Sequence, residues 1–190
     1  MWGVTDIPPL VWTAIGAVAG FVPKFLWDRY WRKRDELATL RRNKKLELLE
    51  RQLSEFYWPI YLRLQKDNAV WQKILDSRNK EDSLRQKVGT EIEKSFILPN
   101  HDEIVKLIES KIHLAKADAE LLNQLLTYIR HIAVYKAMRS SGVFEYDPIH
   151  LGEPWPEKLF PLIEERVKAL QENYDTLLEL KQERLTSRSS

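Results

Sequence analysis

The sequence of 190 residues contains no cysteine, which excludes disulfides, thiolate nucleophiles and thiolate metal sites. It has only 6 glycines, and nowhere do β-branched residues alternate with polar residues over the length of a strand. No HExxH, DxD, GxxxxGK or CxxC pattern occurs, so the sequence gives no support to metal or nucleotide chemistry. We therefore expect an all-α protein that holds no metal or other cofactor and has no enzymatic activity.

Charge is also scarce near the N-terminus. From Ile7 to Leu26 the chain is apolar except for Lys24. A helix rises about 1.5 Å per residue, so about 20 residues cross the roughly 30 Å hydrocarbon layer of a bilayer. We therefore predict a transmembrane anchor over residues 1–28. The alternative is a short amphipathic or buried helix, because the prolines of this segment, Pro23 above all, can interrupt a span.

The charges on either side of the apolar run predict its orientation. Between Lys24 and Arg51 there are ten basic and five acidic residues, whereas Asp6 is the only charged side chain before the run. Basic residues beside a span stay in the cytoplasm, so we expect the N-terminus outside and the rest of the chain inside. Basic and aromatic side chains also favour anionic lipid headgroups. The residues expected at the lipid interface are Trp2, Trp27, Arg29, Tyr30, Trp31, Arg32, Lys33 and Arg34.

After the anchor, the helical spacing of apolar residues predicts a cytoplasmic α-helical bundle over residues 29–185 and a disordered tail over residues 186–190. Pro99 is expected to stop one helix, and Asn100 to cap the next. The predicted helices run from Leu37 to Asp76 with a kink at Pro59, from Leu84 to Leu98, from Asn100 to Lys116, from Asp118 to Arg139 and from Pro156 to Leu185. An irregular loop should occupy residues 140–155.

Two charged residues fall on helix faces that are otherwise apolar. Asp67 lies on the same face as Leu64 and Trp71, and Lys136 lies on the face of Ile129 and Ile132. An isolated buried charge is very unfavourable, so one hypothesis is that Asp67 and Lys136 pair across two packed helices. The alternative, which we weigh slightly above it, is that each side chain reaches solvent at the edge of the bundle.

One face of the fourth predicted helix carries polar residues at every fourth position. This spacing places them on one side of the helix, where they either line a cavity or subunit contact or form a second, partly solvated face. The stripe consists of Asn123, Thr127, His131 and Tyr135, with Arg130 beside it. Of the other histidines, His101 and His113 are expected at the surface and His150 in the loop.

Small residues recur in the predicted span. Gly16 and Gly20 form a small-xxx-small pair, and Thr13 and Ala17 form another. Small residues let helices approach closely in lipid, so these four are candidates for packing between spans. The alternatives are the ordinary glycine and alanine content of a membrane helix, and a weakly polar pore lining.

Several short motifs resemble those of a known group of proteins. They are Phe56 to Tyr61 with Asp67 and Trp71, Arg130 to Lys136, and Trp155-Pro156 before the last helix. These motifs are similar to those of small single-span bacterial proteins with all-helical cytoplasmic domains. Within that group they look most like the membrane accessory proteins encoded beside type VI-B CRISPR RNA-targeting nucleases. The resemblance implies an antiphage role in which subunits assemble into a ring or pore in the inner membrane and increase the protection that the nuclease gives.

The same resemblance implies a divergent HEPN-like ribonuclease motif, in which a histidine follows an arginine by four to six residues. This sequence departs from that spacing, because Arg130 directly precedes His131 and Arg139 stands eleven positions before His150. In such an enzyme the histidine acts as a base on the ribose hydroxyl and the arginine steadies the phosphate. The candidates for catalysis are Arg130, His131 and Asn123.

We therefore expect an oligomeric inner-membrane protein that forms a pore or otherwise permeabilises the membrane in CRISPR-linked antiphage defence. The expected partners are inner-membrane lipids and further copies of the chain, with a functional link to an RNA-guided nuclease and no direct nucleic-acid binding. One alternative is a membrane-anchored adaptor that recruits a cytoplasmic partner through a surface formed by residues 56–61 or through the Trp155 loop. The other is a divergent HEPN-like ribonuclease.

Overall fold

The computed structural model describes the backbone of residues 9–72, 83–143 and 146–189, and the side chains of residues 27, 29–72, 87–143 and 146–182. Within those ranges the chain is helical and forms no strand, so the all-α prediction is confirmed. The α-helices are α1 (Pro9–Gln52), α2 (Trp58–Val70), α3 (Ser83–Ile92), α4 (Leu98–Ala115), α5 (Ala119–Ser140) and α6 (Leu159–Ser189). The chain divides into two compact units, Met1–Lys45 and Leu46–Ser190, and the second is called the helical body below.

The first unit consists of α1 up to Lys45, and its described side chains from residue 29 onward are almost all exposed. Trp27 and Trp31 lie with ring centroids 5.6 Å apart, and the Arg34 guanidinium stands 4.8 Å from the centre of the Trp31 ring. In the part of the chain that the structure describes, no helix has both the length and the apolar character needed to cross a bilayer. Apart from Trp27, the side chains of the predicted anchor over residues 1–28, including the four small packing residues and Trp2, lie outside the described residues.

Two π-helical turns carry the chain past the prolines that interrupt the helical pattern. One turn covers Leu53–Tyr57 and leads into α2, and the other covers Glu93–Ile97 and leads into α4. Proline has no N–H, and its ring clashes with the carbonyl four residues earlier. A π turn inserts one residue and moves that carbonyl away, so both helices continue. The predicted stop at Pro99 is therefore wrong, and a π turn directly precedes the helix that contains Pro59, where a kink was predicted.

The core of the helical body lies where α2 and α4 to α6 pack together. Apolar and aromatic side chains from each helix are almost completely buried there, and they hold the body together because they leave water. The largest of these side chains are Phe56, Tyr57, Ile60, Ile104, Ile108, Leu121, Leu125, Tyr128, Ile132, Leu159 and Ile163. Since Phe56, Tyr57 and Ile60 are core residues, only Trp58, Pro59 and Tyr61 of the predicted partner-binding segment reach the surface.

The C-terminal end of α4 is capped from a distance. Gln52 Nε2 donates to the Leu114 carbonyl at 2.6 Å, and the Tyr57 hydroxyl donates to the Ala115 carbonyl at 2.5 Å. The last carbonyls of a helix lack partners within the helix, so these two bonds satisfy groups that burial would leave without one. The helix then ends at Lys116, whose φ of 44° is left-handed. Burial raises the pKa of Tyr57 to about 12, so its hydroxyl remains a donor.

The remaining helix ends agree partly with the sequence-based boundaries. The predicted start of a helix near Asp118 is confirmed, and Asp118 caps α5 by accepting a hydrogen bond from the Leu121 backbone N–H at 2.9 Å. In contrast, Asn100 is no cap, because it is buried inside α4. The last helix begins at Leu159 after a turn and continues to Ser189, so it includes most of the segment predicted to be a disordered tail.

Candidate functional site

The helical body contains a cavity of about 520 Å³, within the range of small-molecule sites in proteins. Its walls come from α2, α4, α5, the 3-10 turn Pro148–Leu151 and the segment that opens α6. Most of the lining is apolar, and aromatic rings form much of it. The residues that matter for its chemistry are Asp67, His101, His131, Tyr135, Trp155 and Glu157.

Asp67 is the buried acid of this cavity, with its side chain only 9% exposed. Its Oδ1 accepts a hydrogen bond from Asn100 Nδ2 at 2.7 Å, and Asn100 is held in turn by Arg63, whose guanidinium donates to Asn100 Oδ1 at 2.9 Å. Within the described part of the chain, Asp67 Oδ2 accepts no hydrogen bond, although it lies 3.2 Å from His101 Nδ1. Oδ1 of the carboxylate therefore has a hydrogen-bond donor, and Oδ2 has none among the described residues.

His101 explains why Oδ2 has no donor. Its Nδ1 makes a hydrogen bond of 2.7 Å with the Tyr128 hydroxyl. A ring nitrogen has one hydrogen-bonding direction, so the approach to Asp67 is an electrostatic contact outside that direction. The sequence predicted a surface position for His101, and this prediction is wrong, because the residue is 5% exposed.

Burial pushes the pKa values of these two groups in opposite directions. Loss of solvent raises the pKa of Asp67 to about 6, against the lowering effects of Asn100 and Arg63. Loss of solvent lowers the pKa of His101 to about 4, with a further contribution from His131. Both shifts favour the neutral forms, so close to pH 5 the two groups face each other without forming an ion pair.

The mouth of the cavity is built around Trp155. The rings of His131 and Tyr128 pack edge-on against it, with centroids 5.2 and 5.6 Å away. His131 Nδ1 lies 2.9 Å from the backbone carbonyl oxygen of Glu153. A carbonyl only accepts, so Nδ1 carries a proton and donates it, and the ring is fixed against the loop. Trp155 itself is 43% exposed, so one side of its ring is open to a partner.

A buried ion pair holds the adjacent loop. Arg139 Nε lies 2.5 Å from Glu93 Oε1, and the two side chains are 5% and 2% exposed. The other guanidinium nitrogens donate to the Val143 and Tyr146 carbonyls and to the carboxylate of Asp147. Burial acts against the charge of Arg139, but the bond to Glu93 and the charges of Glu93, Tyr135 and Asp147 together outweigh it, so the pKa of Arg139 is raised. The loop that forms one cavity wall is therefore anchored to the π turn before α4.

The predicted pair of Asp67 and Lys136 does not form. Lys136 Nζ lies 2.6 Å from Asp102 Oδ1, with both side chains almost half exposed, whereas Asp67 is buried beside Asn100 and His101. The long stem of Lys136 carries its charge to the edge of the bundle, where water reduces the cost of that charge. A helical wheel assigns a Cα direction and does not show how far a side chain extends.

The predicted polar stripe divides into two parts. His131 and Tyr135 line the cavity, with ring centroids 6.3 Å apart. Thr127 is buried and accepts from Arg130 at 3.2 Å, and Asn123 is exposed. Neither is among the described residues that line the cavity.

The three ribonuclease candidates are not gathered into one site. The Arg130 guanidinium lies 3.3 Å from the carboxylate of Glu153, so a phosphate would compete with an ion pair already made. His131 uses its Nδ1 on the backbone of the same residue, while Asn123 points to solvent. This arrangement gives little support to base catalysis on RNA.

Sequence reasoning missed His101 and gave Trp155 no role in a cavity. The signal for His101 was present, since Ile97, His101, Ile104 and Ile108 fall on one helical face and the other three are apolar. For Trp155 no such signal existed, because its position depends on how the loop returns to α5. Comparison with models of known protein families, with curated proteins and with solved structures gives no match.

Proposed function

We propose that this chain is a bacterial inner-membrane protein that assembles into an oligomer and permeabilises the membrane as an accessory of CRISPR-linked antiphage defence. The observation that carries the proposal is α1, whose backbone is one helix of 44 residues from Pro9 to Gln52. At about 1.5 Å per residue such a helix is about 66 Å long, enough for a span and a stem beyond it. Pro23 lies inside this helix, which supports a continuous span over the alternative of a short interrupted helix.

The charge of the stem supports the same proposal. The basic side chains of residues 29–34 lie next to exposed Trp27 and Trp31, the pairing typical of a membrane interface. An N-terminus outside and a helical body in the cytoplasm follow from this placement of positive charge. The antiphage role itself rests on the resemblance of the sequence motifs to the type VI-B accessory group.

Cell fractionation combined with detergent chromatography tests the proposal. The chain should sediment with the inner membrane, stay there in high salt or carbonate, and leave it in detergent. Purified in detergent, it should elute as a multimer, because a pore requires a closed ring of spans. Recovery in the soluble fraction, or a monomer in detergent, would contradict the proposal. Replacing residues 1–28 by an unrelated single span gives the matched control for anchoring without specific span contacts.

A second candidate function is a membrane-anchored adaptor, and the exposure of Trp155 at the cavity mouth favours it. A half-exposed tryptophan on a loop that is held by an ion pair suits a partner contact. A pull-down from cells that also encode the RNA-guided nuclease should retain one dominant partner with the wild-type chain. Trp155→Ala should lose that partner, whereas Trp58→Ala, an exposed tryptophan of α2, should keep it. If both variants retain the partner equally, the adaptor function through Trp155 is contradicted.

A further inference from the structure

The cavity of the helical body combines aromatic walls with negative charge. Its acidic members are Asp67, Asp147 and Glu157, and the part of the lining that the structure describes contains no lysine or arginine. The charge of Asp147 is matched by Arg139, but Glu157 stands exposed beside Trp155. His101 adds no positive charge at the floor near neutral pH, since burial lowers the pKa of its ring to about 4. Electrostatically, the cavity favours a cation.

The buried acid at the floor is a second and independent observation. The Asp67 side chain is more than nine-tenths buried, and its Oδ2 has no hydrogen-bond donor among the described residues. A buried acceptor without a donor is unfavourable, and in native proteins such an atom is accounted for by a bound water or ion, by strain or by a function. Oδ2 is itself covered, so a cation in the cavity acts on it through space. Charges a few Å apart attract strongly where water is excluded.

The aromatic lining indicates which shape of ligand the cavity can bind. Trp71, Tyr135, Trp155 and Phe160 face the cavity, and Tyr61 stacks on the outer side of Phe160 at 5.6 Å between centroids. Aromatic faces attract both flat apolar groups and cations, most strongly when the cation is desolvated. A volume of about 520 Å³ suits a small molecule with one ring system and a short charged arm.

We propose that this cavity binds a small organic cation, an amine or quaternary ammonium group on a flat apolar body. The body packs against the aromatic lining, and the positive charge faces the carboxylates of Asp67 and Glu157. The site lies within the helical body and does not depend on whether α1 spans a membrane. It goes beyond the proposed permeabilising function, to which it adds a small-molecule ligand.

Isothermal titration calorimetry on the full-length protein in detergent tests the proposal with three probes that share one ring. Tryptamine is the cation, indole the neutral probe and indole-3-propionate the anion, and titration into empty micelles corrects for partition into detergent. Tryptamine should bind at least about tenfold more tightly than indole, and indole-3-propionate more weakly than indole, because the two charged probes carry the same two-carbon arm and differ in the sign of its charge. Equal affinity for all three probes, or no saturable binding of tryptamine, would overturn the proposal.

Charge-neutralising variants locate the site. Asp67→Asn should weaken tryptamine about tenfold and leave indole unchanged, since it removes charge and keeps shape. Asp102→Asn is the matched control, because Asp102 directly follows the cavity residue His101 in the chain but pairs with Lys136 and does not line the cavity, and its tryptamine affinity should be that of the wild type. If Asp67→Asn fails to fold, Glu157→Gln at the exposed rim should weaken tryptamine about threefold. Equal losses in Asp102→Asn and in the cavity variants would refute the assignment.

Discussion

At the scale of single residues, Asp67 and His101 oppose each other in their dependence on pH. Asp67 has a folded-state pKa of about 6 against an ordinary value of 3.8, so its contribution to stability is present at low pH and is lost as the pH rises through about 6. His101 has a folded-state pKa of about 4 against 6.5, so its contribution is present above pH 6.5 and is lost as the pH falls through about 4. Between about pH 4 and about pH 6 the two contributions change in opposite directions, so their effects on the pH dependence of stability largely cancel.

Removing either group should therefore reveal the effect of the other on the pH dependence of stability. Asp67→Asn leaves His101 unopposed, so relative to wild type the free energy of unfolding should fall on acidification from about pH 6.5 to about pH 4, by roughly 1–3 kcal/mol. His101→Gln leaves Asp67 unopposed, so relative to wild type its free energy of unfolding should rise on the same acidification from about pH 6.5 to about pH 4. Urea unfolding followed by circular dichroism at several pH values measures both. Parallel pH curves for the two variants would contradict the opposition. The charged and titratable groups around the pair, which stay constant in this comparison, are Arg63, Lys66, Asp102, Tyr128 and His131.

Lys116 is strained by its backbone conformation, since its φ of 44° is one that side chains with a Cβ rarely adopt. Lys116→Gly should raise the free energy of unfolding by about 0.5–1 kcal/mol, because glycine is the preferred residue at this end of a helix. Lys106→Gly, an equally exposed position inside α4, should instead lower it by about 1 kcal/mol. Thermal or urea unfolding measures both variants. A loss of stability in Lys116→Gly would show that the side chain has a compensating contact.

At the scale of elements, the π turns show where sequence reasoning about helices succeeded and where it failed. The apolar spacing on either side of Pro59 and Pro99 predicted helices in the right places, since that spacing follows from the geometry of any α-helix. The spacing did not reveal that α4 continues through Pro99. A π turn depends on one extra residue and on what packs against it, and here Glu93 in the turn meets Arg139 of α5. Contacts this distant in sequence leave no local pattern.

The Arg139–Glu93 pair should be the most sensitive electrostatic contact between elements. Arg139→Met leaves the Glu93 carboxylate buried without its guanidinium, which should lower the free energy of unfolding by about 3–5 kcal/mol. Adding Glu93→Leu should recover much of this loss, because an apolar pair avoids the cost of burying charge. Urea unfolding measures both effects. Lys136→Met is the control on the same helix: its pair with Asp102 is half exposed, so we expect a change of about 0–1 kcal/mol. A double variant as unstable as Arg139→Met would refute this account.

At the scale of the whole molecule, the proposed function depends on whether α1 enters a membrane and meets other copies there. Gly16→Leu combined with Gly20→Leu should weaken assembly or membrane depolarisation while leaving the helical body folded, since bulky residues prevent close approach of spans. Depolarisation measured with a potential-sensitive dye in expressing cells tests this. Val11→Leu with Val18→Leu enlarges side chains elsewhere on the same helix and should have little effect. Unchanged depolarisation in the glycine variant would count against convergence of the spans.

The sequence by itself determined the helical character of the chain, most helix positions and the start of α5 near Asp118, because these depend on residue spacing and on neighbours in the chain. It also placed Asp67 on an otherwise apolar helix face, and His131 and Tyr135 on one polar face of another helix. Only the tertiary structure decided that Asp67 faces His101, that Lys136 reaches solvent beside Asp102 and that Trp155 closes a cavity. These contacts join segments far apart in sequence, and packing of the whole body selects among partners that periodicity leaves equivalent.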